Sequence, residues 1–535
     1  MYLEANILHM FRYTSQRQLT IEEFTTPFGA GLNPKNRWIQ LEAIIPWDEM
    51  AKIYSKRVSP DQGAPTIDPR IVIGAMIIKH KLGLDDRGTI EMIQENPYMQ
   101  YLLGLSGFQQ ERIFDPSLFV ALRKRIGFQE FDEMTDAILT RMRQTEINAQ
   151  SESKDQWDQD LKSGKETEKN EREQERQESN TNQGILKIDA TVCDQYIPYP
   201  TDLNIVNKSR VESQRIFDLL WADRPIGVKP RTYRKKARKQ YLEMIKVKRP
   251  GRRRLRKAIG QQLRYLKRNL EHIDKWLPSV SEETLQNRDI ELLKTIRIVY
   301  KQQHQMWTEK VNRCDNRIVN IYQPYVRPIV RGKAGRRTEF GAKICSSVEE
   351  NGISRLECIG WDAYNESTEL INQIESYKLG HGHYPAKITV DQIYGTRENR
   401  DWCHEHQIEL QVKPLGRPKK SDEKWSKKWE HRNDIEGKFG EAKNKYGMNK
   451  IRAKTKETSE SWISAIFLVM NISVLLRKKE KLMLMLLALI IQGLIHFIFV
   501  LSKSWSEVID RINHDLYGGQ RQLKLSLVNP NSPFY

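Results

Sequence analysis

GILKIDATVCD, residues 184–194, is a short run of mostly apolar and β-branched side chains. Such a run is typical of a strand that is buried on both faces of a sheet. Further strand-like segments follow it along the chain: TEFGAKICSSV (338–348), SRLECIGW (354–361), AKITVDQIYG (386–395) and IELQVKP (408–414). The first two of these flank the turn sequence Glu350-Asn351-Gly352, so we expect them to form an antiparallel hairpin.

Two helical patterns complete this part of the chain. STELINQIESYK (367–378) carries an apolar stripe, and KKWEHRNDIEGKFGEAKNKYG (427–447) places Ile435, Phe439 and Ala442 on one face. The resulting order is strand, hairpin, helix, strand, strand, helix. This order predicts a mixed sheet flanked by helices, in the α+β or α/β class.

Three carboxylates occupy comparable places in this pattern. Asp189 lies in the first strand, Asp391 ends the fourth, and Glu436 lies on the last helix. If the first and fourth strands are parallel neighbours, both aspartates lie at the same edge of the sheet, where the helix can add Glu436. Hard divalent cations with oxygen ligands, above all Mg²⁺, suit such a cluster. Glu398 is the main rival for the third carboxylate, but it follows Asp391 too closely to come from a separate helix.

The chain resembles the DDE transposases of bacterial insertion sequences, which have an RNase H-like core. Their Tyr-x2-Arg-x3-Glu-x6-Lys signature corresponds here to Trp429, Arg432, Glu436 and Lys443, with tryptophan in place of tyrosine. KIDATVCDQYIPYPTD (187–202) and TVDQIYGTRENRDW (389–402) resemble the first two aspartate-bearing blocks of that family.

The resemblance implies that Asp189, Asp391 and Glu436 are catalytic metal ligands for Mg²⁺, with Mn²⁺ able to substitute. Arg432 and Lys443 share a helical face with Glu436, where they could hold the phosphates that flank the cut. The substitution at Trp429 removes any role for a tyrosine hydroxyl but is compatible with stacking on a DNA base.

The charge of the chain favours a polyanionic partner. Lys and Arg number 88 against 69 Asp and Glu, which leaves a net charge of +19. Residues 229–270 contain 18 Lys and Arg and a single acid, Glu243. Solvated faces normally mix signs, so we interpret this segment as a phosphate-contacting surface that includes Arg252, Arg253 and Arg254; a basic disordered arm is the alternative.

Residues 40–140 are predicted to form several short helices. Asp68 and Pro69 are expected to begin one of them and Gly83 to end it. LFVALRKRIG (118–127) adds a basic helix, so this unit weakly resembles a helix-turn-helix DNA reader that uses Arg123, Lys124 and Arg125.

The domain organisation follows from these segments. We expect a helical DNA-binding domain at 1–143, a disordered polar linker at 144–183, and a catalytic domain at 184–475 with a basic helical insertion at 203–335. Residues 476–535 are expected to form a hydrophobic helix and tail.

Two features bear on other function classes. Five cysteines without a Cys-x-x-Cys pair indicate a reducing compartment, and the histidines of 381–383 and 404–406 are too tightly spaced for a structural zinc site. The N-terminus does not have the pattern of a signal peptide. LMLMLLALIIQGLIHFIFVL (482–501) is long enough to cross a bilayer, but we favour a helix packed on the core or on a second subunit.

The sequence thus predicts a transposase that cleaves insertion-sequence ends and transfers the strands to target DNA in a metal-dependent reaction. Its expected partner is double-stranded DNA, on which it assembles as a homodimer or larger oligomer, in the bacterial cytoplasm at the nucleoid. The alternatives are a DNA-binding relic without catalysis, an RNase H-like nuclease that cuts without joining, and a membrane-anchored basic protein.

Overall fold

The structure is a computed structural model. It describes residues 23–26, 29, 31–58, 66–141, 182–223, 225, 227–279, 281–330, 338–416 and 433–517. The predicted linker at 144–183 falls almost entirely outside the described residues, as do Trp429 and Arg432.

The N-terminal part is helical, as predicted. Its helices are α1 (Arg37–Glu42), α2 (Trp47–Ser55), α3 (Pro69–Leu82), α4 (Asp86–Glu95), α5 (Pro97–Leu102) and α6 (Leu118–Arg125), and residues 128–141 are also helical. The Asp68 side chain caps α3 by accepting a hydrogen bond from the Arg70 amide. Gly83 ends α3 in the left-handed conformation at φ 67°, which glycine adopts without steric cost.

The remainder of the described chain contains the sheet and the longer helices. The strands are β1 (Ile185–Asp194), β2 (Arg327–Val330), β3 (Thr338–Glu349), β4 (Ser354–Gly360), β5 (Lys387–Thr389) and β6 (Glu409–Gln411). The helices are α7 (Asp202–Asp223), α8 (Arg234–Ile245), α9 (Arg252–Trp276), α10 (Asn287–Glu309), α11 (Leu370–His381), α12 (Arg397–Glu405), α13 (Asn433–Asn444) and α14 (Lys456–Tyr517).

The six strands form one mixed sheet in the order β2-β3-β1-β5-β6. β3 is antiparallel to β1 along its length, and its other edge is shared by β2 and β4. β5 is parallel to β1, and β6 is parallel to β5. The predicted hairpin is therefore formed by β3 and β4, and the sheet with its flanking helices is consistent with an RNase H-like core.

The basic insertion is a helical unit with an apolar core of its own. It consists of α7 to α10. Helices α7, α9 and α10 pack through Phe217, Leu266, Ile273 and Ile296, and α8 packs on α7 and α9 through Met244. The sheet resumes earlier than the sequence predicted, because β2 pairs with β3 although its residues lie within the predicted insertion at 203–335. The sequence missed β2 because this strand is only four residues long and contains Pro328.

The N-terminal helices pack directly against the catalytic part of the chain. Lys79 of α3 is buried, forms an ion pair with Asp86 at 3.1 Å, and lies 4.1 Å from the centre of the Trp462 ring of α14. The neighbouring His80 meets the same ring edge to face, with 5.3 Å between ring centres. Arg355 of β4 forms ion pairs with Asp132 and Asp136. The described residues up to Val474 accordingly form one compact unit.

α14 is a single helix of 62 residues, and its residues from Leu475 onward belong to a second unit. In the described part of the chain, one segment, Lys456–Lys481, is long and apolar enough to cross a membrane, and its most apolar stretch is almost entirely buried in the protein. The apolar run 482–501 continues the same helix. The side chains of Leu484, Leu494 and Ile498 in this run are exposed. The expected packing of the run on the core or on a second subunit stays a prediction.

The packing of Lys79 on Trp462 predicts the effect of removing that ring. We expect Trp462→Ala to lower the free energy of unfolding by about 3–5 kcal/mol, because a buried aromatic side chain and its cation–π contact are lost together. Chemical denaturation would measure this change. The matched control is Trp505→Ala, since Trp505 is 66% exposed and should contribute little. Equal effects of the two substitutions would contradict the packing described here.

Candidate active site

The first candidate ligand lies on the central strand. Side chains alternate along β1, so Lys187, Asp189, Thr191 and Cys193 share one face. The opposite face carries Leu186 and Ile188, which belong to an apolar cluster with residues of α11, α12 and β5. Asp189 is partly buried, and one carboxylate oxygen accepts a hydrogen bond from the Ala190 amide at 2.8 Å.

Asp391 follows the neighbouring parallel strand. The last paired residues of β1 and β5 are Lys187 and Thr389, so extending the register by two residues places Asp391 beside Asp189. Adjacent strands lie about 4.8 Å apart, and residues paired in register point to the same face. Asp391 also caps the short turn Gln392–Tyr394 by accepting a hydrogen bond from the Gln392 amide at 2.6 Å.

Tyr394, at the end of this turn, provides independent support for the proximity of the two aspartates. Its side chain is fully buried, and burial raises its pKa, with further contributions from the nearby Cys345, Glu366 and Asp189. The carboxylate of Asp189 therefore lies close to the segment that begins at Asp391. The predicted adjacency of the first and fourth strands is borne out.

Glu436 lies on α13, which packs against β1 and β3. Ile435, Phe439 and Ala442 are buried, as the sequence predicted, and Glu436 is exposed beside them. The charge of Lys443 lowers the pKa of the Cys193 thiol, against the larger opposing effect of burial. Lys443 therefore lies near Cys193. α13 thus lies over the face of β1 that carries Asp189.

The three carboxylates do not form a group in this structure. Among the described residues, no set of three or more His, Cys, Asp or Glu side chains is placed to hold a metal ion together. The donor chemistry of Asp189 and Asp391 fits a hard divalent cation, since both supply carboxylate oxygens from adjacent positions. Glu436 is on the helix that covers them but is not gathered with them.

The predicted DNA-contacting residues lie in different surroundings. Arg123 donates to both oxygens of Asp86, at 3.0 and 2.7 Å, and contacts the ring of Trp462, so it stabilises the docking of the N-terminal helices. Its side chain is only 10% exposed. Lys124 and Arg125 are exposed at the end of α6.

The basic helix of the insertion presents its first turn to solvent. Arg252, Arg253 and Arg254 begin α9, and all three are exposed. Helix α8, which carries RKKARK (234–239), precedes it in the same basic segment. The described part of the insertion therefore displays the cations that the sequence assigned to a phosphate-contacting surface.

The cysteines and histidines take structural positions. All five cysteines are free. His381 stacks on Tyr377 with ring centres 4.0 Å apart, and His406 stacks on Trp402 at 3.9 Å. Cys403 is buried in the apolar cluster beneath β5.

Sequence reasoning missed one residue of this region. Lys187 lies in an otherwise apolar strand, is buried, and forms an ion pair with Asp434 in the first turn of α13. The sequence feature that could have identified Lys187 is its place on the same face of the strand as Asp189. Its partner, 247 residues later, could not be identified without the fold.

Comparisons with known proteins agree with this arrangement. Residues 388–473 match the family model described as a transposase DDE domain, and residues 28–125 match a transposase domain, DUF772. Two separate parts of the chain are thus similar to transposase domains. The DDE match contains Asp391 and Glu436, whereas Asp189 precedes it.

A relative in Rhizobium meliloti is named "Uncharacterized protein ORF8 in nfe locus". It is 32% identical to this chain over 122 residues, which are 23% of this chain and 58% of the relative. The chain thus spans a little over half the length of the curated relative that it matches. The printed name of that relative assigns it no activity.

The carboxyl group of Glu357 has a strongly raised pKa but lies outside the candidate site. It is partly buried on β4, where its Oε1 accepts a hydrogen bond from the hydroxyl of Ser347. Burial raises its pKa to about 7; Asp132 also raises it, while Ser347, Arg355 and Ser376 lower it. Glu357 therefore belongs to the interface with the N-terminal helices.

This raised pKa predicts a pH-dependent stability. Because the folded pKa exceeds the ordinary value of 4.5, the contribution of Glu357 is fully present below pH 4.5 and is lost as the pH rises through about 7. We expect Glu357→Gln, which stays neutral, to gain stability relative to the native chain between pH 5 and 8. Denaturation across this range would measure the gain. Glu133→Gln is the control, since Lys56 lowers the pKa of Glu133; the same gain there would refute the assignment.

Proposed function

We propose that this transposase cleaves DNA at the ends of an insertion sequence and joins the freed strands to target DNA. The observation that carries the proposal is the parallel register of β1 and β5, which aligns Asp189 with Asp391 next to the helix of Glu436. The match of residues 388–473 to a transposase DDE domain supports it.

In the proposed site, Asp189, Asp391 and Glu436 hold divalent metal ions. DDE transposases generally use a divalent metal, and we propose Mg²⁺ here, with Mn²⁺ as a substitute, because all three ligands are carboxylates. When bound, such ions activate an attacking oxygen and stabilise the leaving one. Three carboxylates repel one another without cations, so Glu436 would join the two aspartates only when cations and DNA are bound.

The proposed reaction has two displacements at phosphorus. In the first, water attacks the phosphorus at the element end and the bond to the 3′-oxygen breaks, which leaves a 3′-hydroxyl and a 5′-phosphate. In the second, that 3′-hydroxyl attacks a phosphorus of the target, forming one phosphodiester bond as another breaks. Lys443 lies along α13 from Glu436, where its ammonium can contact a phosphate beside the cut.

The proposed substrate is double-stranded DNA, both the terminal repeats and the target. Exposed cations at Lys124, Arg125 and the first turn of α9 would neutralise phosphates away from the site. By the family signature, Trp429 and Arg432 would contact DNA near the cut. The protein would act in the bacterial cytoplasm at the nucleoid, as a homodimer or larger oligomer on DNA.

Replacing the carboxylates tests the site. We expect Asp189→Ala, Asp391→Ala and Glu436→Ala each to reduce cleavage and joining by roughly 10³-fold or more while DNA binding persists, since catalytic groups act as a unit. The measurement is strand cleavage and joining on DNA that carries the element's own ends, with Mg²⁺ or Mn²⁺.

Two matched controls accompany this assay. Asp194→Asn changes a carboxylate on the opposite face of β1, and Glu398→Gln changes the exposed rival glutamate of α12. Both should retain activity. Full activity in one of the alanine variants would mean that its carboxylate is not a ligand. Cleavage without joining would indicate a nuclease, and specific end binding without either reaction would indicate an inactive relic.

The basic turn of α9 predicts a salt effect. We expect Arg252→Ser, Arg253→Ser and Arg254→Ser in one variant to weaken binding to all DNA sequences. The slope of log K against log salt should fall in magnitude by up to about 2.7, which corresponds to three lost phosphate contacts. Binding titrations at several salt concentrations would measure this. Lys294→Ser, at an exposed lysine that pairs with Glu291, is the control; an unchanged slope in the triple variant would exclude this surface.

A further inference from the structure

Lys187 and Asp434 form an ion pair between the strand of one proposed ligand and the helix of another. The Lys187 side chain is 9% exposed, whereas that of Asp434 is 58% exposed. An ammonium group that is buried without a partner costs several kcal/mol, so Lys187 strongly favours the position of α13 that supplies Asp434.

Each residue of the ion pair lies two positions before a proposed ligand, Lys187 on β1 and Asp434 on α13. Lys187 precedes Asp189 by two residues on the same face of β1, about 7 Å along the strand. Asp434 precedes Glu436 by two residues in the first turn of α13. Two helical residues correspond to a rotation of about 200°, so Asp434 and Glu436 lie on opposite flanks of the helix, with buried Ile435 between them.

The apolar contacts of α13 do not by themselves fix its rotation. Ile435, Phe439 and Ala442 keep one side of the helix on the sheet, but apolar contacts are non-directional and tolerate small rolls. A charge-assisted hydrogen bond on one flank is directional. It therefore sets where the opposite flank, with Glu436, lies.

We propose that the Lys187–Asp434 ion pair is a positioning contact that sets the rotation of α13 on β1 and thereby the place of Glu436 relative to Asp189. This inference rests on the proposed function, since it concerns the same metal site. Lys187 and Asp434 act through Glu436 and are not themselves ligands.

Metal binding tests the inference without depending on activity. Native protein, Lys187→Met and Asp434→Asn would be titrated with Mn²⁺, and the signal of free Mn²⁺ would be followed by electron paramagnetic resonance. We expect the two variants to bind Mn²⁺ about 10–100-fold more weakly, as is typical when a residue that supports a ligand is lost. The charge-exchanged double variant Lys187→Glu with Asp434→Lys should recover part of the affinity.

If the ion pair only stabilised the fold, its loss would lower the melting temperature without weakening Mn²⁺ binding. Lys445→Met, which removes an exposed ion pair with Glu441 on the same helix, is the matched control and should bind Mn²⁺ as the native chain does. Thermal unfolding of every variant establishes that it is folded. Asp434→Asn keeps the test valid if Lys187→Met does not fold, because Asp434 is largely exposed. Native Mn²⁺ affinity in a folded Asp434→Asn variant would overturn the inference, even if its melting temperature were lower.

The failure of this inference can be distinguished from failure of the proposed function. If Asp189→Ala weakens Mn²⁺ binding and the ion-pair variants do not, only the positioning contact is refuted. If Asp189→Ala binds Mn²⁺ as tightly as the native chain, the proposed metal site is wrong and the positioning contact falls with it.

Discussion

The parallel pairing of β1 with β5 is the constraint on which the proposed site depends. It involves only three residue pairs, yet it fixes the register that places Asp391 beside Asp189. One residue of slip would turn every side chain of β5 to the opposite face and bury Asp391 in the apolar cluster. Leu186, Ile188, Ile388 and Val390 oppose such a slip, because all four are buried in that cluster. Apolar packing on one face therefore holds the carboxylates on the other.

The second requirement is a helix placed over the carboxylate face, and the N-terminal helices contribute to it indirectly. They pack on α14 through Lys79, His80 and Arg123, and α14 follows α13 in the chain. Arg123, which the sequence assigned to DNA contact, has a largely buried side chain that pairs within the protein. Its bidentate pairing with Asp86 joins α6 to α4, and the same guanidinium contacts the ring of Trp462. The helical unit and the catalytic core are thereby parts of one folded body.

Much of this architecture could be predicted from local patterns. The cap at Asp68, the stop at Gly83, the hairpin around Asn351 and the buried face of α13 follow from side-chain chemistry within a few residues. The alignment of Asp189 with Asp391 was predictable because parallel strands end at one edge of a sheet.

What could not be predicted depends on distant partners. Arg123 looked like a DNA contact because its partner Asp86 is 37 residues away, and Lys187 gave no sign that it would meet Asp434. The short strand β2 was missed because it exists only through its pairing with β3. In the structure Glu436 is not gathered with the aspartates, and on the proposed function cations and DNA would complete that grouping, which local sequence patterns do not describe.

The place of the insertion between β1 and β3 has a consequence for synthesis of the protein. β1 emerges from the ribosome about 200 residues before β5, and still earlier than α13. At ribosomal rates of about 5–20 residues per second, this interval lasts roughly 10–40 s. For the later part of this interval the nascent chain displays its basic helices, while its first aspartate has neither of its proposed co-ligands. On the proposed function, a chain interrupted in this interval would keep its basic helices without two of the three proposed ligands, so it would compete with the full chain for DNA without cutting it.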